Sequence, residues 1–308
     1  MRGGRGRLVL ATAVVVLLRV VAAAAPLRVA SFNMLHGGLT SALGGDGERL
    51  EDRLRLASAD LAGLDLDVLG LQEASVARDR GDMAARLAAA LGMPAVVGAP
   101  PLTWFDRLTA AVLRLSEGPA LVSRHPLIAS RVWPLPRCGD SSARSLVCGE
   151  VAAPGATVTV CSTHIDGGAC QLAALAQRIA ARCPTTPLVV LGDLNATQHA
   201  PAVVQLLAVT GLRDTFRTAH PDEPGATVWQ PVTSERSTVH RRIDYVFVAP
   251  GGGVDFDVRD SRVVLDRPHA TPAGPLWPSD HRAVLAELAP VPAPAPASPP
   301  HCVRLGGV

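Results

Sequence analysis

The 308-residue chain contains no lysine, so all 29 of its basic side chains are arginine. We read that as a bias of composition before any functional choice. Set against 27 acids, those cations leave a formal charge of +2, which excludes a polybasic nucleic-acid arm and an acidic disordered tail. Aromatic residues are scarce at 3%, with a single Tyr, so stacking platforms for single-stranded bases are few. Several catalytic signatures are also missing: the Gly-x-Ser-x-Gly elbow of an acyl-enzyme, the Gly-rich phosphate loop and dinucleotide fingerprint, and the His-Glu-x-x-His zinc spacing. No period of roughly 20 to 50 residues repeats, which argues against a solenoid or propeller. What remains can build a core: 48% of residues are hydrophobic and 18% charged, and 28 Gly with 26 Pro imply many turns without wholesale low complexity.

The first residues read as an export signal. Arg2, Arg5 and Arg7 precede an apolar run from Leu8 to Leu18, and small residues follow from Ala22 to Ala25. A membrane span needs about 20 apolar residues; this run is shorter and ends at Arg19. Cleavage after Ala24 is expected, leaving 25 Arg against 27 acids and a charge of −2. Such a domain has to bind a polyanion at a local, metal-assisted site rather than through bulk charge. With no later hydrophobic span and no Cys at the junction to take a lipid, a secreted monomer without a transmembrane segment is expected. The six cysteines (Cys138, Cys148, Cys161, Cys170, Cys183, Cys302) all follow the leader, and an even count in an exported chain points to disulfides. Cys170 and Cys183 flank a helix-like stretch that holds them roughly 20 Å apart, beyond disulfide reach. Cys138 and Cys148 flank a turn-rich stretch and are placed to close a hairpin. The other pairings stay open, as does the alternative of buried free thiols.

Strand-like runs recur at Leu27–Asn33, Asp67–Gln72, Ala120–Ser123, Ser145–Val151, Thr157–Thr163, Pro187–Leu191, Arg242–Val248 and Ala283–Leu288, several apolar throughout as if buried on both faces. Helix-like stretches at Glu48–Leu61, Asp82–Leu91, Gln171–Arg182 and Ala202–Leu207 alternate with them, so the class is α/β. The long polar connections Gly211–Arg241 and Asp266–Ser279 are natural places for a site. One domain, residues 25–288, is expected between the leader (1–24) and a Pro-rich tail (289–308) of extended, polyproline type.

Polar groups gather at the ends of the apolar runs, where an open α/β sheet places its ligand. Asn33 ends the first run, Gln72-Glu73 the second, Thr163-His164 the fifth and Gly192-Asp193-Leu194-Asn195 the next; Arg242-Ile243-Asp244 opens another, and Ser279-Asp280-His281 precedes the last. Each alone reads as a cap, a turn or a satisfied core histidine. Together they fit one task, because oxygen donors such as Asn33, Glu73 and Asp280 suit a hard cation, Mg²⁺, Mn²⁺ or Ca²⁺, and two histidines can do acid–base work near neutral pH.

In order and spacing, Ser31-Phe32-Asn33, Leu71-Gln72-Glu73, Ser162-Thr163-His164, Gly192-Asp193-Leu194-Asn195, Arg242-Ile243-Asp244-Tyr245-Val246-Phe247 and Ser279-Asp280-His281 resemble the motifs of the endonuclease/exonuclease/phosphatase superfamily, the DNase I-like phosphoesterases. The resemblance runs from about Leu27 to Leu288. It implies a four-layered α/β sandwich, two mixed β-sheets packed face to face with helices outside. It further implies that Asn33, Glu73 and Asp280 hold the metal, and that Asp193 activates the attacking water with Asn195 holding the geometry. His281, paired with Asp244, and His164 would bind the scissile phosphate and assist proton transfer. Arg144 matches a position where some members contact phosphate, its alternative being a solvated Arg at a strand start. Asp166 reads as a turn residue or a ligand.

The resemblance also departs from the family. The Tyr that several nucleases use against the phosphate has no counterpart here, since the one Tyr is Tyr245. Trp104-Phe105, in a Pro-rich loop, would touch a base or a lipid, or pack on their own domain. The leading expectation is therefore a secreted nuclease or phosphodiesterase acting on nucleic acid. A sphingomyelinase-like enzyme acting on a lipid headgroup, or a phosphatase for small phosphate esters, is the alternative within the same chemistry. A non-catalytic binding protein on the same fold is the remote one.

Overall fold

The computed structural model describes residues 25–35, 49–77, 81–99, 108, 111–112, 116–139, 143–166, 168–299 and 301–307. The expected leader and the Trp104-Phe105 pair lie outside these residues. Two mixed sheets form the centre. The first has the order β12 (Val254–Val264), β15 (Ala283–Pro292), β1 (Leu27–Asn33), β2 (Val68–Ala77), β5 (Ser116–Ser123), β4 (Ala95–Gly98), with β3 (Gly81–Asp82) paired to β2. The second has the order β10 (Arg213–Asp214), β11 (Asp244–Ala249), β9 (Leu188–Asp193), β8 (Ala156–His164), β7 (Arg144–Ala153), β6 (Leu127–Leu135). Strands β1 and β2 run parallel, as do β8 and β9, while the neighbouring pairs are antiparallel. A small hairpin, β13 (His269–Thr271) with β14 (Gly274–Leu276), stands apart.

Alternation along the central strands sends successive side chains to opposite faces, and here both faces are buried. On β1, Val29 joins the layer between the sheets, while Ala30 and Phe32 turn outward onto α1 (Leu50–Ala62) and α2 (Met83–Leu91). On β9, Val189 and Leu191 face the other sheet, while Leu188 and Val190 face α3 (Ala169–Ala180) and α4 (Pro201–Thr210). Three apolar layers thus separate four structural ones, the sandwich expected. A short helix, α5 (Thr215–Ala219), lies within the connection that the sequence reads as loop. Between the sheets Gly70 lies close against Leu191: a Cβ there would stand 2.7 Å from Leu191 Cβ.

The cysteines pair as Cys138–Cys170, Cys148–Cys161 and Cys183–Cys302, so the expected Cys138–Cys148 hairpin closure is not formed. Register explains the difference. Cys148 lies opposite Cys161 on β8, and its neighbour on β6 is Arg131; Cys138 has already left β6 for the following loop. The domain also reaches beyond the expected boundary. Strand β15 continues to Pro292, and the tail returns to the domain: Cys183 N donates to Val303 O at 2.8 Å, Trp133 Nε1 to Leu305 O at 3.0 Å, and Leu305 is buried. Among the described residues no helix is long and apolar enough to cross a membrane.

Candidate active site

The two parallel pairs end at the same side of the sandwich, and the antiparallel neighbours begin there. Asn33 at the end of β1 lies beside Gln72 on β2; His164 at the end of β8 lies beside Asp193 on β9, which faces Asp244 at the start of β11. His281 stands two residues before β15. Topology therefore brings Asn33, Glu73, His164, Asp193, Asn195, Asp244, Asp280 and His281 to one mouth, although up to 248 positions separate them in sequence.

Local backbone aims two of these groups. The β2–β5 pairing slips between Leu71 and Ala74, and Glu73 inside that bulge has φ of 54°; bulges of this kind re-aim a side chain next to a site. Asn195 also sits in the left-handed region, with φ of 50°, which turns its backbone N–H onto Asp193 Oδ1 at 2.7 Å.

Side-chain contacts cross from one sheet to the other. Asn33 Nδ2 donates to Glu73 Oε1 at 3.1 Å and to Asp193 Oδ2 at 3.0 Å, while Gln72 Nε2 donates to Ser162 Oγ at 3.2 Å. Asn33 Oδ1, the atom expected to face a cation, accepts from Leu35 N at 3.1 Å, which engages one of its two lone pairs. Asn33 Nδ2 is thus placed to orient the two carboxylates, and Glu73 and Asp280 stand as the charged ligand candidates. Nδ1 of His281 meets Oδ2 of Asp244 at 3.0 Å, which leaves Nε2 facing Asp193 Oδ2 at 3.8 Å and Asp280 Oδ1 at 3.9 Å. The pair and Asp193 are buried; Asp280 keeps a partly open edge.

His164 is tied differently. Asn195 Nδ2 donates to Ile165 O at 2.9 Å, which fixes that atom as the amide nitrogen, and the same group meets His164 Nε2 at 3.0 Å. His164 Nε2 therefore accepts and, in this neutral form, the ring proton lies on Nδ1. Arg144, expected at the phosphate, places its guanidinium on Asp166, with Nε donating to Oδ1 at 2.6 Å and Nη2 contacting the same oxygen.

The charges are strongly coupled. Burial and the neighbouring Asp244 raise the Asp193 carboxyl well above the ordinary range, against the pull of His281. Burial chiefly pushes Asp280 up to about 6, with His281 opposing and Glu73 adding to the rise. Burial disfavours the charged ring of His281, yet Asp244, Asp193 and Asp280 together overcome it and raise the imidazolium's pKa. His164 is held neutral by burial, Arg144 and His281. These carboxylates crowd together with oxygen donors, the chemistry that a hard divalent ion matches. Asp193, Asp244 and His281 also present ligand atoms within 4.8 Å of one another, but Asp244 is already engaged with the imidazole.

Glu117 is a site neighbour that the sequence reading missed. It lies on β5, opposite Ser75 of β2, on the face that β5 turns toward the second sheet. The residue as a whole is exposed; crowding of its carboxyl by the domain and the Glu73 charge raise its pKa, with Arg144 opposing. Its Ser-Glu-Gly setting carries no signal that could have found it.

Comparison with known proteins bears on the family and the fold. The family model described as "Endonuclease/Exonuclease/phosphatase family" matches residues 30–281. Among curated proteins none matches the chain. Similar solved structures include the mannosyl-6-phosphatase of Bacteroides thetaiotaomicron VPI-5482, at TM-score 0.66 and 20% identity over 85% of this chain and 99% of that one. The human nocturnin catalytic domain with bound sulfate has TM-score 0.63 and 20% identity, over 87% and 94% of the two chains. TDP2 of D. rerio complexed with single-strand DNA product has TM-score 0.63 and 17% identity, over 85% and 98%. At these identities the likeness is one of fold.

Proposed function

We propose, from the premise that the chain belongs to the endonuclease/exonuclease/phosphatase family, that it is a divalent-metal-dependent phosphoester hydrolase working outside the cytoplasm on the phosphodiesters of nucleic acid. The observation that carries this reading is the Asp244–His281 pair at 3.0 Å, whose free Nε2 faces Asp193 and Asp280. Three disulfides support an oxidising compartment.

Glu73 and Asp280 would hold the ion, with Asn33 orienting Glu73. When bound, a divalent ion polarises a phosphoryl oxygen and offsets charge that develops on it. Asp193 is held at both oxygens, by Asn195 N and by Asn33 Nδ2; its raised pKa suits it to take the proton of the attacking water. As water oxygen bonds to phosphorus in line, the bond to the leaving oxygen breaks. His281, charged and oriented through Nδ1 by Asp244 as a carboxylate orients an imidazole, would turn Nε2–H toward the scissile group and give that proton to the departing oxygen. His164 acts through Asn195, holding its side-chain amide while the backbone N–H of the same residue holds Asp193.

The test is nicking of supercoiled plasmid by the purified, oxidised protein with Mg²⁺ or Mn²⁺, beside an EDTA arm and His281→Ala. Nicking lost in both controls is expected. Full activity in either control would refute the mechanism. Metal binding without nicking would redirect the substrate to small phosphate esters, the chemistry named for the Bacteroides phosphatase, or to lipid headgroups.

A further inference from the structure

The two loops that bring Asn33 and Asp280 together are held by a residue outside every site motif. Arg53, on α1, is 1% exposed. Its Nη1 donates to Met34 O at 3.1 Å and Pro278 O at 3.3 Å, and its Nη2 to Leu35 O at 2.7 Å. Met34 and Leu35 directly follow Asn33; Pro278 lies two residues before Asp280. One planar guanidinium therefore joins the segment that orients Glu73 to the segment that carries Asp280, a task that its rigid fork of donors suits and a lysine ammonium does not.

The cap of α1 and its last turn grip the same loop. Arg49 Nη2 donates to Thr271 Oγ1 at 3.0 Å, and Asp60 Oδ2 meets His269 Nε2 at 2.9 Å, both on the β13–β14 hairpin. Arg49 is the cap residue that precedes α1, with φ of 56°, and Asp60 lies about two turns beyond Arg53 on the helix. The outer two hold a half-exposed hairpin, whereas Arg53 alone reaches the carbonyls beside the site. Among the described residues, Ser279 Oγ also joins these two segments, donating to Asn33 O at 2.7 Å closer to the ligands.

We infer that Arg53 is a positioning residue for the metal ligands: it sets the spacing between the Asn33–Glu73 side and the Asp280 side, and so the affinity of the site for its divalent ion. This rests on the metal-dependent reading above. Groups that orient metal ligands are typically worth about 10- to 100-fold in metal affinity, and the same size is assigned here.

Calorimetric titration of the purified, oxidised protein with Mn²⁺ tests the assignment, with thermal unfolding recorded on each sample. Arg53→Lys is expected to bind Mn²⁺ about 10- to 100-fold more weakly, and its turnover to recover as Mn²⁺ is raised to saturation. Arg49→Ala, which loosens the hairpin and the Asp52 pair but no bond to the Asn33 or Asp280 segments, should titrate like wild type. A merely structural Arg53 would lower the unfolding temperature and leave the titration midpoint of the folded protein unchanged, and that result overturns the inference alone. Wild-type protein that takes up no Mn²⁺, or takes it up equally after Glu73→Gln, overturns the metal reading and the inference with it. Should Arg53→Lys not fold, Arg53→Gln, which keeps an N–H donor without a buried charge, reads the same titration; failure of both to fold would make Arg53 architectural and defeat the assignment.

Discussion

A single methyl group at Gly70 should part the two sheets and slow the enzyme. The Cβ of Gly70→Ala would lie 2.7 Å from Leu191 Cβ, 2.8 Å from Cδ1 and 3.3 Å from Cγ. Carbon atoms at optimal contact stand about 3.5–4.0 Å apart, so the strands have to yield by roughly 1 Å. Leu191 is fully buried and cannot swing into solvent. Overpacking of this kind costs about 1–3 kcal/mol, to be read as a shift of the urea midpoint at unchanged m-value. The same movement reaches the chemistry. Gly70 lies three residues before Glu73, and Leu191 two before Asp193, while the 3.0 Å bond from Asn33 to Asp193 spans the gap between the sheets. A misplacement of about 1 Å can cost on the order of 100-fold in rate, so kcat should fall by that order in protein that is still folded. Leu191→Ala removes two of the three crowding atoms, and the double variant should be more stable than the sum of the single losses by about 1 kcal/mol, as contacting residues couple. Gly70→Ala with wild-type midpoint and wild-type kcat, or strictly additive losses in the cycle, would refute the reasoning.

Asp244→Asn removes the carboxylate that holds His281 Nδ1, and kcat should drop by about 10²–10⁴-fold with the unfolding transition retained; steady-state kinetics beside circular dichroism checks this. Cys148→Ala/Cys161→Ala opens a loop closed over 13 residues, a loss of about 3 kcal/mol by chain entropy that denaturant unfolding measures. The Cys183–Cys302 bridge spans 119 residues, for which the same relation sets a ceiling of about 5 kcal/mol; a larger loss in Cys183→Ser/Cys302→Ser would contradict it. Tyr245→Phe takes away the hydroxyl that meets Ala196 O at 2.8 Å and Arg242 O at 3.1 Å. With those acceptors left buried the change should cost about 1–3 kcal/mol, measured in urea.

Central strands were legible in the sequence because both of their faces are buried. Leu27–Asn33 reads as seven residues with almost no polar interruption before Ser31, and it is β1 residue for residue. β8, β9 and β11 were found within two residues of their ends for the same reason. The strands missed are the edges of the two sheets, β4, β6, β10 and β12, together with the short β3 and the β13–β14 hairpin. β12 alternates Asp255, Asp257 and Arg259 with Val254, Phe256 and Val258, and β6 exposes Ile128 and Arg131, so one face of each meets water and the apolar run is broken. In the same way Thr215–Ala219 is too short for a helical period to show.

At the site, the sequence determined which side chains exist and in what order they follow the apolar strands. Asn33, Asp193, Asp244 and His281 were identifiable because polar residues at the ends of buried runs are rarely needed for packing. Partnership was not identifiable, because it depends on distances between segments far apart in the chain. Only the folded sandwich decides that Asn33 turns its nitrogen to Glu73, that Arg144 is engaged by Asp166, and that His164 accepts from Asn195. Arg53 and Glu117 stand outside any motif and acquire meaning from what the sheets and α1 bring beside them. The local chain fixes chemical identity through residue type and period; tertiary structure fixes function, since hydrogen bonds and charge coupling act over a few ångströms that the linear order does not contain.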